Sequence, residues 1–538
     1  MQNNSYDYII VGAGSAGCAM AFRLGANPDL KILVLEAGGE DRSPMIKIPL
    51  TWGLILKNRL YDWGYFTQSE PFMAQREIEC ARGKVIGGSS SINGMAYARG
   101  APEDYDAWEK DFGLSEWTYD KVLPFFKRSE NWQDGENLKR GGAGPLFVSK
   151  MIYQDPLMDA FFETTRDLGF PFIDDYNAGR MDGFSHMQTT IHQGKRWSAA
   201  SAYLYPSIAR GNVEVLTHVT VNKVKIKKGR AFGVEVSSAG NTQTLFASRE
   251  VIVSAGVINS PQLLMLSGIG EEQSLKKHDI RVEVDLPGVG KNLHDHLVCD
   301  VRWKRKGNGP LFDVLRFDKI LLDLLRTVFW GSGLSGQVPA GAVGHVKSNE
   351  SLKLPDLQLI LAAAPMTAGP YLAPFVKPYL DAYALKGVFL TPQSRGEVKL
   401  SDRNPNSKPL IIQNFLSNSG DTLALREMIK IMRRIGGSGA FAQFSDGEIF
   451  PGPSIASDEE IDGFIAKNAI TLHHPVGTCR MGQESDPMAV LNSDMEVFGV
   501  DGLRVVDGSA MPRVVRGPVN APIMMMAEKV SDRILSRI

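Results

Sequence analysis

The sequence predicts an α/β fold. A nucleotide-binding domain with a central parallel sheet is assembled from separated stretches of chain, and an α+β domain is inserted between them. Three observations predict it. A strand, a glycine-rich turn, a helix and a second strand open the chain. Two further short apolar strands followed by small residues and turns recur far downstream, near residues 251 and 503. The intervening stretches mix helix-like and strand-like patterns without nucleotide signals.

The opening unit has a job for each part. Residues 8–11 form a continuous apolar run, the mark of a buried parallel strand. Gly12, Gly14 and Gly17 then occupy the G-x-G-x-x-G positions and open a helix expected over 18–24. Gly12 permits the tight turn, Gly14 admits a pyrophosphate close to the backbone, and Gly17 lets helix and strand pack. The helix N-terminus offers free N–H groups and partial positive charge to phosphates. The second strand, 32–35, ends in Glu36, which can accept hydrogen bonds from an adenosine ribose. The unit is a Rossmann-like dinucleotide clamp; by itself it leaves FAD and NAD both open.

Residues 213–253 alternate and read as a β-meander ending in a buried strand at 251–254. A helix is expected over 261–266. Near the C-terminus a short buried strand begins at Leu503, and Pro522 is placed at the first position of a last helix, 523–538. The domain boundaries expected from these blocks are 1–154, 208–300 and 451–538 for the nucleotide domain. The inserted domain takes 155–207 and 301–450, an antiparallel sheet flanked by helices.

Composition narrows the function. The chain has 538 residues, too many for one simple core. With 59 basic against 60 acidic residues, the net charge of -1 gives no electrostatic case for nucleic acid. Four separated cysteines form no C-x-x-C pair, so neither a zinc site nor a disulfide framework is expected. The nucleotide unit starts at Tyr6, ahead of which a signal peptide does not fit, and no apolar run is long enough to span a bilayer. A cytoplasmic chain is expected, soluble or peripheral on the inner face of a membrane.

Three segments carry the chemistry: ARGKVIGGSSSINGMAYARG from Ala81, SAGVINSPQLLMLSGIG from Ser254, and LHHPVGTCRMG from Leu472, followed by VVDGSAMP and GPVNAPIMMMAEK. Together with the N-terminal unit they resemble the glucose–methanol–choline oxidoreductase family, in its choline and alcohol dehydrogenase branch. The resemblance covers essentially the whole chain. It implies FAD as cofactor and oxidation of an alcohol, expected to be primary.

The resemblance implies the site residues. His474, in H-P-x-G-T, takes the place of the family's catalytic base, and imidazole chemistry suits removal of a hydroxyl proton near neutral pH. Asn520 takes the place of the second polar group, which holds the substrate oxygen; it also sits where a helix cap is expected. Contacts to FAD are implied for Gly12, Gly14, Ser15, Ala16, Gly17, Glu36 and Ala37 at the nucleotide end. They are implied for Arg82, Gly87, Gly88, Ser89, Asn93 and Gly94 in the paired-glycine loop. Val219, through its backbone, and Ala255 are placed by the adenine, and Asp507 and Gly508 by the pyrophosphate and ribityl chain. Asn520, Ala521 and Pro522 are placed at the flavin, where the last helix would direct its positive end.

Some family oxidases carry a flavin-linking His where this chain has Ile92, so FAD is expected to be non-covalent. Many relatives read N-T-N-A-P where this chain has Pro518-Val519-Asn520-Ala521-Pro522. The stretch Asn292-Leu293-His294-Asp295-His296 mimics a metal site, but the family places a structural motif there, so no metal is expected. Met524, Met525 and Met526 are consecutive and read as core.

Residues 312–330 read as one amphipathic helix with Arg316, Lys319 and Arg326. It either packs on its own domain or a partner subunit, or lies on a membrane near a quinone pool. The branch resemblance implies a quinone-like electron acceptor, with O2 as the alternative. The chain is expected to be a monomer or homodimer. The second domain shows no motif that selects the alcohol, and choline stays open.

Overall fold

The computed structural model describes residues 5–151 and 153–538. Its first sheet places Val213–Leu216, Ile32–Leu35, Ser5–Val11 and Asn241–Val253 side by side. The first three pair in parallel, and Ser5–Val11 also runs parallel to Asn241–Val253. Asn241–Val253 has two roles. Its first half closes an antiparallel meander with Arg230–Ser238 and Thr220–Lys227; its last three residues pair in parallel with Leu503–Val505. The central strands Ile32–Leu35 and Ser5–Val11, with the last three residues of Asn241–Val253, are apolar and buried, as in a parallel sheet covered on both faces by helices. Ile9, Ile10, Leu33, Val34, Ile252 and Val505 are fully buried.

Helix Ser15–Leu24 covers this sheet and packs against the last helix, Asn520–Leu535. Arg23 and Arg128 both reach the buried Glu528 (2.6 and 2.8 Å), so this buried carboxylate is doubly paired. Met524, Met525 and Met526 are all fully buried, because this helix is enclosed on every side.

The second sheet is antiparallel, in the order Ser445–Phe450, Leu297–Arg305, Ala382–Phe389, Leu357–Ala362, Ala340–Val346, Gly183–His186. Its period-2 alternation separates two environments. Leu297, Cys299, Val301 and Trp303, with Leu357, Leu359 and Leu361, face a hydrophobic core completed by helix Ser419–Gly436. The opposite face carries Val298, Asp300 and Arg302, Ala382, Ala384 and Lys386, and Ile360 and Ala362, all on the wall of the main cavity. Small residues on that face leave the room.

Four expected helix limits move, each for a local reason. The first helix begins at Ser15, three residues earlier than its apolar pattern. The helix expected over 261–266 runs Gly256–Leu266, with Pro261 inside it. Pro261 leaves the Val257 carbonyl without its helical donor, and the Thr478 hydroxyl donates to it instead at 2.6 Å. The last helix begins at Asn520, so Pro522 is its third residue rather than its first; the first four N–H groups of a helix lack internal partners, so a proline there costs no bond. The helix expected over 312–330 is two helices, Pro310–Val314 and Phe317–Trp330. Between them the backbone pairs with Tyr371 instead, through Phe317 N to Tyr371 O (2.9 Å) and Tyr371 N to Leu315 O (3.1 Å). No helix among the described residues is long and apolar enough to cross a membrane.

Candidate active site

A cavity of about 1270 Å³ runs between the two sheets, lined by Glu36 and Ser15 of the nucleotide unit, by Asn520 and by His474. At the nucleotide end, Gly12 has φ +104°, which an L side chain rarely adopts, and a Cβ there would lie 2.4 Å from the Ser254 carbonyl oxygen. A Cβ on Gly17 would lie 1.9 Å from the Gly12 oxygen. These two glycines exist for backbone packing. Gly14 differs: an added Cβ would meet nothing nearer than 4.0 Å, so its face is open to the cavity.

Glu36 closes this end. Its carboxylate accepts from Ala13 N (3.0 Å) and Gly38 N (2.8 Å). Burial nevertheless pushes its pKa up to about 7, the backbone donors only partly opposing it. Ser15, Ala16, Ala37, Val219 and Ala255 lie on the same wall. The N–H of Val219 is committed to the Glu36 carbonyl at 3.0 Å, so that donor is not left for a ligand.

The paired-glycine loop is a short 3-10 turn, Gly88–Ser91, entered with Gly87 and Gly88 at φ +84° and +54°. Gly88, Ser89, Asn93 and Gly94 line the cavity. Gly87 does not; its N–H donates to Ala13 O at 2.8 Å, tying this loop to the first turn. Arg196, unmarked by any motif, supports the loop from behind. It is fully buried and donates to Asn93 O and Asn93 Oδ1 at 2.6 and 2.7 Å, to Ser90 O and to Ile46 O. Burial lowers its pKa to about 9.

Asp507 and Gly508 also line the cavity, but the Asp507 carboxylate is spent inside the protein. It accepts from Gly256 N, Ser260 Oγ, Ser509 N and Ser509 Oγ. It fastens two turns together and has no oxygen to spare.

The other end is assembled from residues far apart in sequence. His473 has φ +65°, a strained value for a non-glycine residue that costs about 1–3 kcal/mol. Two bonds hold it there: its N–H donates to Thr471 Oγ1 (2.7 Å), and its carbonyl accepts from Arg82 Nη2 (2.6 Å). The bend presents His474, whose N–H donates to Asp295 Oδ1 at 2.8 Å. Thr471 donates to the other oxygen of Asp295. Burial raises the Asp295 carboxyl to about 6.

The His474 ring meets His296, Nδ1 to Nδ1 at 3.2 Å, with the rings nearly perpendicular. His296 Nε2 in turn lies 3.2 Å from the Leu390 carbonyl. A carbonyl only accepts, so His296 carries its proton on Nε2 and presents a bare Nδ1. His474 must then donate from its own Nδ1. That leaves the His474 Nε2 lone pair, with no hydrogen-bond partner among the described residues, on the cavity wall. Burial, with the neighbouring His296 and Arg82, holds His474 well below the usual imidazole range; burial takes His296 to about 4. Both rings are neutral at physiological pH.

Asn520 is not a cap: Val519 holds that position, and no side-chain bond closes the helix start. Asn520 Oδ1 accepts from Ser15 Oγ at 2.6 Å, joining the first and last helices and leaving the Nδ2 donors without a partner among the described residues. Ala521 and Pro522 are buried behind it and do not reach the cavity. Within the stretch that mimics a metal site, His294 is spent on the backbone. His294 Nδ1 donates to Asn292 O (2.6 Å) and its Nε2 accepts from Val514 N (3.0 Å). Among the described residues no cluster of three His, Cys, Asp or Glu is placed to hold a metal ion.

With this geometry established, similarity to known proteins is informative. The chain matches the GMC oxidoreductase family over residues 6–298 and 392–527. The chain belongs to the GMC oxidoreductase family. It is 41% identical over 532 residues to a protein named oxygen-dependent choline dehydrogenase from Sinorhizobium fredii, covering 99% of this chain and 96% of that one. A Brucella anthropi protein of the same name is 40% identical over 536 residues, with the same coverage. Among solved structures, pyridoxine 4-oxidase from Mesorbium loti superposes with TM-score 0.88 at 31% identity, covering 99% of both chains. A formate oxidase from Aspergillus oryzae, from work on FAD modification, superposes with TM-score 0.91 at 28% identity, covering 100% of this chain and 99% of that one.

This GMC oxidoreductase is thus an FAD-dependent enzyme acting on CH–OH donors. The residues present fit FAD on two counts. The long cavity is bare of side chains at Gly14 and ends on the Glu36 carboxylate. Ser254 Oγ and His473 Nδ1, buried polar atoms of two residues that line it, have no partner among the described residues, a deficit that a polar ligand can relieve.

Proposed function

We propose that this GMC oxidoreductase oxidises a primary alcohol to the aldehyde, with His474 as the base. The observation that carries this reading is the single unpartnered Nε2 of a neutral His474. That nitrogen takes the hydroxyl proton as the carbinol carbon gives up its hydride. The free Nδ2 of Asn520 donates to the substrate oxygen and stabilises the charge that develops there. Bound FAD supplies the acceptor for the hydride. Glu36, Gly14, Ser15, Ser89, Asn93 and Arg82 hold it. It is held without a covalent bond, since Ile92 occupies the position of the linking residue.

The sheet wall of the cavity argues against choline. Ile360, Lys386 and Asp300 stand in one cross-strand row, and Ala362, Ala384 and Arg302 in the next. Asp300, the one carboxylate of this group, is already engaged by Arg302 Nε at 2.6 Å. A quaternary ammonium would therefore meet two cations and no free anion. Choline remains the second reading, because the curated relatives carry that name.

The electrons pass to a quinone-like acceptor at a membrane surface, supported by the apolar residues that helix Phe317–Trp330 exposes; O2 is the alternative. The test is anaerobic mixing with a panel of primary alcohols and choline, followed by reoxidation with a soluble quinone or O2. Flavin bleaching by aliphatic primary alcohols and fast quinone reoxidation are expected. Bleaching by choline alone would overturn the substrate reading, and stoichiometric peroxide in air the acceptor reading.

A further inference from the structure

Helix Phe317–Trp330 is arranged inside out. Its two buried residues are polar: Asp323 accepts from Leu334 N, Ser335 N and Ser335 Oγ, and Thr327 is buried beside it. Most of its large apolar residues face outward. Phe317, Leu321 and Leu322 are all 60% exposed or more, and Phe329 and Trp330 are 70% and 74% exposed. Segment 372–380 adds Val376, Leu380 and Phe375, the last 84% exposed. Apolar patches of this kind mark interaction sites.

The same helix is a cavity wall. Ile320 and Leu324 line the cavity on its inner side, while Met366, Thr367 and Pro370 both line the cavity and are exposed. Those three residues therefore mark a mouth, and the mouth opens beside the apolar patch.

We propose that this face seats on an anionic lipid bilayer, so that the alcohol passes from the lipid through this mouth to the cavity. The inference rests on the alcohol-oxidation reading above. Charge favours the bilayer. Lys319, Arg326 and Lys377 have no carboxylate partner among the described residues, Asp318 is paired with Arg316, and Asp323 points inward. Asp313 is the remaining exposed carboxylate of the helix pair, so cations prevail at the rim. Basic side chains around protruding aromatic and aliphatic ones are the pattern of an interfacial helix. A second protein copy seated here would close the mouth, whereas lipid would leave it open to a substrate dissolved in it.

The holoenzyme is floated with vesicles of phosphatidylcholine alone and of phosphatidylcholine with phosphatidylglycerol. Binding to the anionic vesicles is expected, weakening as salt rises. The variant Leu321→Glu/Phe329→Glu/Phe375→Glu, which touches only outward side chains, should bind at least about tenfold more weakly. Its kcat/KM on a short water-miscible alcohol should stay within about twofold of wild type. Its turnover of a long-chain alcohol delivered in anionic vesicles should fall about tenfold, following the lost binding. Failure of the wild type to float would overturn the proposal. So would equal use of the vesicle-borne alcohol by both proteins, or wild-type dimers that the triple variant converts to monomers with vesicle binding unchanged. If no alcohol bleaches the wild-type flavin, the underlying reading fails instead, and flotation still reports on docking.

Discussion

The two ends of the cavity are built differently. The Glu36 end is a local device: Gly12, Gly14, Gly17 and Glu36 lie within one strand–helix–strand unit, and its bonds are short-range backbone contacts. The His474 end is a long-range one. The His474 ring is oriented by His296, 178 residues away, and its backbone by Asp295, 179 away; Asn520, on the wall of the same cavity, is held by Ser15, 505 away. At the first end Gly12 and Gly17 tolerate no added atom; the second tolerates no lost partner. Binding therefore depends mainly on steric fit, and chemistry on hydrogen-bond direction.

Four changes would break or sharpen that contrast. The largest effect is expected at the local end. Gly17→Val places carbon against the Gly12 carbonyl, which cannot move without displacing the first strand; the purified variant should lack flavin absorbance. If it retains stoichiometric FAD, the steric account is wrong. His474→Ala should keep its flavin yet reduce it about a thousandfold more slowly in anaerobic stopped flow. A loss under tenfold would remove His474 as base.

Glu36 links pH to stability in the apoprotein. Its folded pKa of about 7 lies above the ordinary 4.5. The neutral carboxyl therefore stabilises the fold below about pH 4.5, and that contribution is lost as pH rises through 7. A shift of that size corresponds to roughly 3 kcal/mol. Melting of apoprotein across this window should show the decline, and Glu36→Gln should flatten it. An unchanged slope in the variant would refute the assignment.

The smallest effect is expected at His296. His296→Ala leaves His474 free to turn and to place its proton on either nitrogen, so flavin reduction should slow about tenfold. Its removal also relieves one influence holding the His474 pKa down. The acid limb of the reduction rate should then move to higher pH. A slower variant with an unshifted limb would make His296 a packing residue only.

What was legible follows the same division. The glycine turn, Glu36 and the identity of His474 stand out because each motif is contiguous. The last helix start was misplaced because Pro522 suits any position of the first turn, and Asn520 resembles a cap when only its neighbours are considered. Pro261 reads as a boundary until the Thr478 hydroxyl is seen to replace the missing donor. His296 reads as part of a structural motif; a His two residues from another, beside an Asp, is its only local signal. Arg196 had none.

The sequence by itself determined the nucleotide unit, the family and the chemical types at the site, because strand, turn and helix signals act over a few residues. Only the tertiary structure decided which nitrogen of His474 is free, which oxygens of Asp507 are spent, and which way helix Phe317–Trp330 faces. Periodicity shows that a helix has an apolar side. Whether that side turns inward depends on what the polar side can bind, and here Asp323 found the loop at Leu334 and Ser335.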